Sequence, residues 1–413
     1  MGLKDREARR KPVSNMIVSK DYFNLKGKNA EKVVHELALK TFLTDWCYLN
    51  PLLPSGRELC DLLVVFDEVA IIWQIKDLKL DTYGRHNKSE IEKNLRQLSG
   101  ARRVLFDLKT PVELQNPRRT KKLLDPATIK EVYLVSVLLG QAEEEFNFVE
   151  SIRNHTVHVF AGDFTQIVLD ELDTIADFAA YLREKETFLA QDRNINILGG
   201  EEDLLGCYLA NNRSFATLSE GDYIILDQGF WSRVQSSQEY KAKKKEDEIS
   251  YIWDNIINRV HEGSAKYEIV ARELARPNRF HRRHLSKVYA DAHIRAYESN
   301  KYDLFRRVLD GDGTTYCFLF ADGGETRNKR IRMLEAICRI ARGMLKKNSK
   351  VLGIATEKKI CPECSYDFCF LHIPVWTKQN QIDVERLQKE TSIFLNPIIA
   401  YAHDEEYPQP ADK

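Results

Sequence analysis

Asp61, Gln74 and Lys76 are the residues of this chain whose types and spacing best suit chemistry. They lie in the stretch Glu58-Leu-Cys-Asp-Leu-Leu-Val-Val-Phe-Asp-Glu-Val-Ala-Ile-Ile-Trp-Gln-Ile-Lys76. Two apolar, β-branched runs flank a tight Asp67-Glu68 turn there, which is a hairpin signal. Asp61 enters the first run, and Gln74 and Lys76 close the second on one side, because side chains two apart on a strand share a face. A carboxylate, an amide oxygen and an ammonium facing one another across a hairpin can hold a divalent cation with a water beside it. Hard cations such as Mg²⁺ take oxygen ligands, through one or two carboxylates plus substrate phosphates. Asp61 supplies the charge, the Gln74 carbonyl a neutral oxygen, and the Ile75 backbone carbonyl another. Lys76 then stands beside the bound water, where it orients the nucleophile, helps lower its pKa, or stabilises charge on a phosphorane-like transition state. The competing reading is two buried strands with one polar end.

Asp61 followed about a dozen residues later by Gln74-Ile75-Lys76 resembles the PD-(D/E)XK nuclease superfamily. Within it the pattern is closest to the Mrr-like restriction endonuclease branch, where Gln replaces the acidic residue of the final triplet. The superfamily tends to carry a Glu on the helix before the hairpin. Gly27-Lys-Asn-Ala-Glu31-Lys-Val-Val-His-Glu36-Leu37 matches that helix, with Glu31 the better candidate and Glu36 the fallback, one and a half turns on. The resemblance covers roughly residues 20–165. It implies a metal-dependent DNA endonuclease with Glu31, Asp61, Gln74 and Lys76 as catalytic residues. It also implies Mg²⁺ or Mn²⁺ held by Glu31, Asp61, Gln74 and Ile75, and a role in restriction or antiviral defence against foreign DNA. Gln74 departs from the commonest pattern, and a neutral ligand weakens metal affinity. The alternative is therefore a catalytically degenerate nuclease-fold protein, acting as a nucleic-acid-binding or regulatory interaction module.

Positioning these residues requires an α/β domain with a mixed central sheet flanked by helices. Lys28–Asp45 carries a helical stripe through Val33, Val34, Leu37, Ala38, Thr41 and Phe42. Trp46–Asn50 reads as a short strand ended by Pro51 and Pro54. Ser89–Leu108 returns to helical spacing, with Ser89 as N-cap and Glu92 completing a capping box. Val132–Leu139 and Thr156–Phe160 read as strands, and Ile167–Phe188 as one helix that closes the domain. Residues 1–20 form a polar, basic arm, 21–195 the nuclease-like domain, and 196–413 a second, α+β domain that selects substrate or partner. Asn194–Glu202, with Gly199-Gly200, is the expected linker. In the second half, Ile249–Val260 and Ala265–Ala275 read as helices. Thr315–Ala321 and Lys350–Thr356 read as strands around a helix from Thr326 to Lys347. Tyr240–Asp247 reads as a solvated helix face.

The chain has 413 residues, enough for two domains, and its formal net charge is zero, so no global basic signature marks it as a nucleic-acid coat. Basic surface is local instead. Between Thr82 and Leu124 there are 11 Lys/Arg against 4 Asp/Glu. Arg118, Arg119, Lys121 and Lys122 from this segment, and Arg279, Arg282 and Arg283 from a second cluster, are the candidate phosphate contacts. A third cluster, on the helix from Thr326, is expected to point its cations to solvent. For each cluster the rival is a salt-bridged surface. DNA is the expected partner, with RNA as the other nucleic acid. Double-strand cleavage from one site per chain calls for a homodimer or a partner protein in a defence complex. The longest apolar run falls short of the ~18 residues a membrane helix needs, and the basic N-terminus lacks a signal-peptide core. A cytoplasmic protein follows, with reduced thiols or metal ligands among its eight cysteines. Cys361, Cys364, Cys369 and His372 have CxxC then CxxH spacing, which suits a structural Zn²⁺. The apolar alternation of Cys369–Val375 favours buried thiols instead.

Overall fold

The two apolar runs flanking Asp67-Glu68 fold as the hairpin they imply. The computed structural model describes residues 28–78, 83, 87–140, 147–191, 194–216, 218, 223–263, 267–299, 305–322, 324–359, 364–400 and 404–408. The chain divides into two units, 1–173 with 182–228, and 174–181 with 229–413.

The first unit begins with α1 (Lys28–Phe42) and a short β1 (Cys47–Leu49), then β2 (Leu62–Phe66) and β3 (Val69–Asp77). Phe66 pairs with Val69 across a two-residue turn in which Asp67 takes a positive φ of 49°, a conformation that Asp tolerates and tight hairpins need. Next come α2 (Lys88–Arg102), the hairpin β4 (Glu113–Asn116) and β5 (Arg119–Leu123), and β6 (Glu131–Leu139). They are followed by β7 (Val149–Ile152), β8 (His155–Ala161) and α3 (Gly162–Glu171), and by α4 (Ile175–Leu189), of which the part up to Tyr181 belongs to the second unit. The unit ends with β9 (Asn194–Ile197), α5 (Glu201–Ala210) and β10 (Tyr223–Leu226). Six strands make one mixed sheet in the order β1-β2-β3-β6-β8-β7. β1, β2 and β3 are antiparallel neighbours, β3, β6 and β8 run parallel, and β7 is an antiparallel edge.

Alternation along the strands builds two cores. Leu63, Val65, Ile72 and Leu134 face Leu95, Leu98, Ala101 and Leu105 on one side, so α2 covers that face. Trp73 points to the other face, between the rings of Phe42 and Phe160. Thr41 Oγ1 donates to the Leu169 carbonyl at 3.0 Å and ties α1 to α3. Gln74 and Lys76 share the side of Ile72, so they leave the sheet beside α2.

The second unit holds α6 (Phe230–Ser236), α7 (Gln238–Asp247), α8 (Tyr251–His261), α9 (Glu268–Ala275) and α10 (Arg279–Glu298). After these come β11 (Phe305–Asp310), β12 (Thr314–Ala321), α11 (Arg327–Met344), β13 (Lys350–Glu357), β14 (Asp367–His372) and α12 (Lys378–Thr391). Its sheet runs β11-β12-β13-β14, with β12 and β13 parallel through the α11 crossover and antiparallel edges on both sides. Leu334 and Cys338 of α11 press so close to β13 that a Cβ at Gly353 would meet Cys338 Sγ at 2.5 Å.

Several expectations are corrected. The single helix over 167–188 is two, because Thr174 opens a new start: its hydroxyl donates to Asp177 Oδ2 at 2.7 Å and accepts the Asp177 N–H at 3.1 Å. α2 begins at Lys88, capped by Asn87, whose Oδ1 accepts the Ser89 N–H at 3.0 Å; Ser89 is inside the helix. Asn194–Glu202 is not a linker: it contains β9, which pairs in parallel with β10, and the start of α5. The division between units follows Gln228 instead. The basic stretch 118–122, for which the sequence suggests a loop that holds phosphates, is β5 and the turn before it. In α7, Tyr240, Lys243 and Asp247 are buried, so the run 240–247 is not wholly solvated.

Candidate active site

Asp61 stands at the mouth of β2, fixed through its backbone on both sides. Its N–H donates to the Trp73 carbonyl at 3.2 Å, and its carbonyl accepts the Asn50 N–H at 2.9 Å. Its side chain reaches across to β3. There the carboxylate accepts the Gln74 Nε2–H at 2.7 Å on Oδ1 and the Ile75 N–H at 2.5 Å on Oδ2. Each oxygen keeps a further lone pair for a cation. Lys76, one strand repeat beyond Gln74, lies 4.0 Å from Glu90 Oε1 of α2. Next to Gln74 in the register is Ser136 of β6, whose hydroxyl donates to Asn94 Oδ1 at 3.1 Å.

Glu31 comes from the first turn of α1, 3.9 Å from the Nε2 of the buried His35 one turn later. Burial, joined by the negative charges of Glu31 and Glu58, pushes the Asp61 carboxyl up to about 7, against the pull of the Ile75 and Gln74 donors. Glu58 is raised as well, by burial and by Glu31. Burial holds the His35 ring below its ordinary pKa, with Glu31 and the Asp61 backbone opposing. Acids gathered beside a buried carboxylate form a negative pocket that a cation relieves.

The structure therefore brings Asp61, Gln74 and Ile75 into direct contact and sets Glu31 within electrostatic reach of Asp61. Ile75 meets Asp61 through its N–H, and Gln74 through its amide nitrogen, so the two carbonyl oxygens expected as ligands are not the groups engaged. Glu36 pairs instead with Lys32 at 3.6 Å on the exposed side of α1. Among the described residues no three His, Cys, Asp or Glu side chains gather closely enough to hold an ion. A Mg²⁺-type site needs fewer, since water and substrate phosphate complete its shell. Asp61, with Glu31 within electrostatic reach, offers the one or two carboxylates that such an open site uses. Two contributors escaped the sequence reading as site residues. Glu58 is three residues before Asp61, and that spacing was its one visible signal. Glu90 is brought to Lys76 only by the packing of α2 on β3.

The basic residues divide. Arg118 and Arg119 both turn to the fully buried carboxylate of Asp45, at 3.5 and 3.0 Å. Lys121 pairs with Glu113 at 2.6 Å across the β4–β5 hairpin, and Lys122 lies over the Tyr48 ring. Arg279 and Arg282 are interior, not a solvent-facing patch. Both grip Asp254, at 2.9 and 2.7 Å, and Arg282 also donates to the carbonyls of Ala275 and Pro277. Arg283 is buried too, against Asp247 and beneath residues 404–406. On α11, Arg330 and Arg342 are buried as well, Arg330 held by Asp367, Glu357 and Ser365. A cation without a nearby acid in sequence suggests surface, but the partners of these arginines lie tens of residues away.

Cys361 lies outside the described residues. Cys364 Sγ donates to the Lys359 carbonyl, and Cys369 packs with the α11 core of the second unit. His372 is exposed, and three residues along a strand put it on the opposite face from Cys369. Among the described residues, Cys364, Cys369 and His372 do not form a metal-holding group. Among the described residues no helix is long and apolar enough to cross a membrane. In searches of protein-family models, curated proteins and solved structures, the chain matches none.

Proposed function

We propose that the first unit is a metal-dependent nuclease that hydrolyses phosphodiester bonds in DNA. The observation that carries this reading is the Asp61 carboxylate, bonded across the hairpin to Gln74 and Ile75 and pushed up to about 7 by burial and by neighbouring acids. The order of elements adds support. Helix, three antiparallel strands, helix and a parallel strand, α1-β1-β2-β3-α2-β6, is what a PD-(D/E)XK core requires. Glu31 and Asp61 would hold Mg²⁺ or Mn²⁺, with Gln74 Oε1 as neutral donor. Such an ion, when bound, polarises the phosphate and acidifies a water. Lys76 then points its ammonium at the attacking water and at the charge that builds on the non-bridging oxygens. The water oxygen bonds to phosphorus as the bond to the leaving ester oxygen breaks, and that oxygen is protonated from solvent. Glu90 holds Lys76 in its place near the end of β3.

A second reading is favoured by one feature: both Asp61 oxygens already accept protein hydrogen bonds, as in a site whose cation has been replaced by an amide. On that reading the unit binds nucleic acid without cutting it. Cleavage of supercoiled plasmid in Mg²⁺ or Mn²⁺ separates the two. The nuclease reading predicts nicking by the parent chain. It also predicts loss of at least a hundredfold in rate for Lys76→Ala, on the order of one preorganised charge, with DNA binding retained. Equal cleavage by parent and variant would refute the assignment of Lys76, and no cleavage by either would favour the binding module.

A further inference from the structure

The segment Asp404–Tyr407 lies on the groove between α7 and α10 of the second unit, where it offers Arg283 two backbone carbonyls and sets the Asp404 carboxylate among basic side chains. Arg283, with a fully buried side chain, donates through Nη1 to the Glu406 carbonyl at 3.1 Å and through Nη2 to the Glu405 carbonyl. Its Nε faces Asp404 Oδ2 at 3.7 Å. Asp404 also accepts Lys287 Nζ at 3.2 Å and stands 3.9 Å from His284 Nδ1. The ammonium of Lys243 lies over the Tyr407 ring.

A guanidinium that gives its two terminal nitrogens to two neighbouring oxygens uses the same fork with which arginine takes two phosphate oxygens. The groove has the charge for a longer anion. From 238 to 247 the residues Lys241, Lys243, Lys244 and Lys245 face only Glu239, Glu246 and Asp247. From 279 to 287 there are Arg279, Arg282, Arg283 and Lys287 and no acid. Asp247, Asp254 and Glu246 neutralise part of this from within, Glu246 lying 2.7 Å from Lys287, and the Asp404 carboxylate adds a further negative charge beside Arg283 and Lys287.

We propose that this groove is a second nucleic-acid face that grips the phosphate backbone, and that residues 404–407 occupy it as an intrachain competitor. Displacing them frees the fork of Arg283 for two neighbouring phosphate oxygens and leaves Lys287 with Glu246 of α7, at 2.7 Å, as its remaining acid, so that its ammonium can turn to a phosphate at the cost of that pair. The choice of nucleic acid over an acidic peptide rests on the nuclease reading of the first unit. The binding itself does not depend on cutting.

The test is equilibrium binding of a labelled duplex oligonucleotide, followed by fluorescence anisotropy in EDTA so that no cleavage occurs. Three proteins are compared: the full chain, the chain ended at Ala400, and the full-length variant Asp404→Asn/Glu405→Gln/Glu406→Gln. The shortened chain is expected to bind about tenfold tighter or more. Its salt slope should steepen by about 0.9 for each further phosphate it neutralises. The triple variant should move in the same direction, and it decides the matter if the shortened chain melts early. Lys287→Glu in the shortened chain should cancel most of the added affinity. The proposal is overturned if neither altered chain binds duplex more tightly than the parent, or if the tighter binding survives Lys287→Glu. It is also overturned if a poly-glutamate peptide binds the altered chains more tightly where the duplex does not. Because nothing is cut in EDTA, a failure here leaves the nuclease assignment standing, and a failure to cleave plasmid leaves this groove standing.

Discussion

Asp61 carries an electrostatic load that should be visible without any substrate. Its carboxyl rises from 3.8 to about 7 in the folded chain, so the fold binds that proton more tightly than the unfolded chain does. The associated stability is complete below about pH 4 and is lost as the pH climbs through 7. Asp61→Asn should therefore be more stable than the parent at pH 8 and gain nothing at pH 4. Mg²⁺ should narrow the gap at pH 8 by stabilising the parent alone. Thermal melts at the two pH values, with and without Mg²⁺, check this; an Asn variant that is no more stable at pH 8 contradicts the charge trap. His158 has the opposite sign. Burial lowers its pKa from 6.5 to about 4, and its Nε2 meets Glu186 Oε1 at 3.0 Å. Stability tied to it is full above 6.5 and drains as the pH falls towards 4. His158→Gln should flatten that acid limb in the same melts, and an unchanged limb would place the loss elsewhere. At this scale Asp61, Gln74 and Lys76 were legible because polar groups interrupt apolar strands. The partners of the arginines were not: Arg330 finds Asp367 and Arg283 finds Asp247 across folds of chain that no local pattern describes.

Elements decide whether those groups meet. α2 sets Glu90 against Lys76 and Asn94 against Ser136 while its apolar side seals the sheet. Leu98 is fully buried there, and Leu98→Ala should cost about 2–5 kcal/mol. Removing the cap by Asn87→Ala should cost about 1 kcal/mol, and urea unfolding measures both. A cap loss near zero would mean that Ser89, not Asn87, starts the helix in solution. β2, β3, β6 and β8 could be read from their apolar runs. The β4–β5 hairpin could not, because β5 is almost wholly exposed and spells Arg-Thr-Lys-Lys-Leu, which resembles a loop. Gly199-Gly200 suggested a linker, yet Gly200 is the N-cap residue of α5 and β9 precedes it, paired with a strand 29 residues later in register. Pairing at that range leaves no trace in local periodicity.

At the scale of the whole molecule, two units were expected, but a boundary near 195 was not the one found. Residues 174–181 belong with 229–413, and the chemical reason is specific: Asp177 Oδ2 accepts the Arg279 N–H at 2.9 Å at the start of α10. A fragment beginning at Gly229 lacks that acceptor. Asp177→Ala in the full chain should cost about 1–3 kcal/mol, the penalty for stranding a buried donor, and chemical denaturation reads it directly. No cost would mean that α10 starts without its help. The account as a whole depends on the acids of α1 and β2 sharing one cation beside Lys76. The most direct measurement is an anomalous-difference map from crystals of the full chain soaked in Mn²⁺. The account predicts a single strong peak between the carboxylates of Glu31 and Asp61, and its disappearance in Asp61→Asn. A map with no peak between those two carboxylates at saturating Mn²⁺ contradicts it.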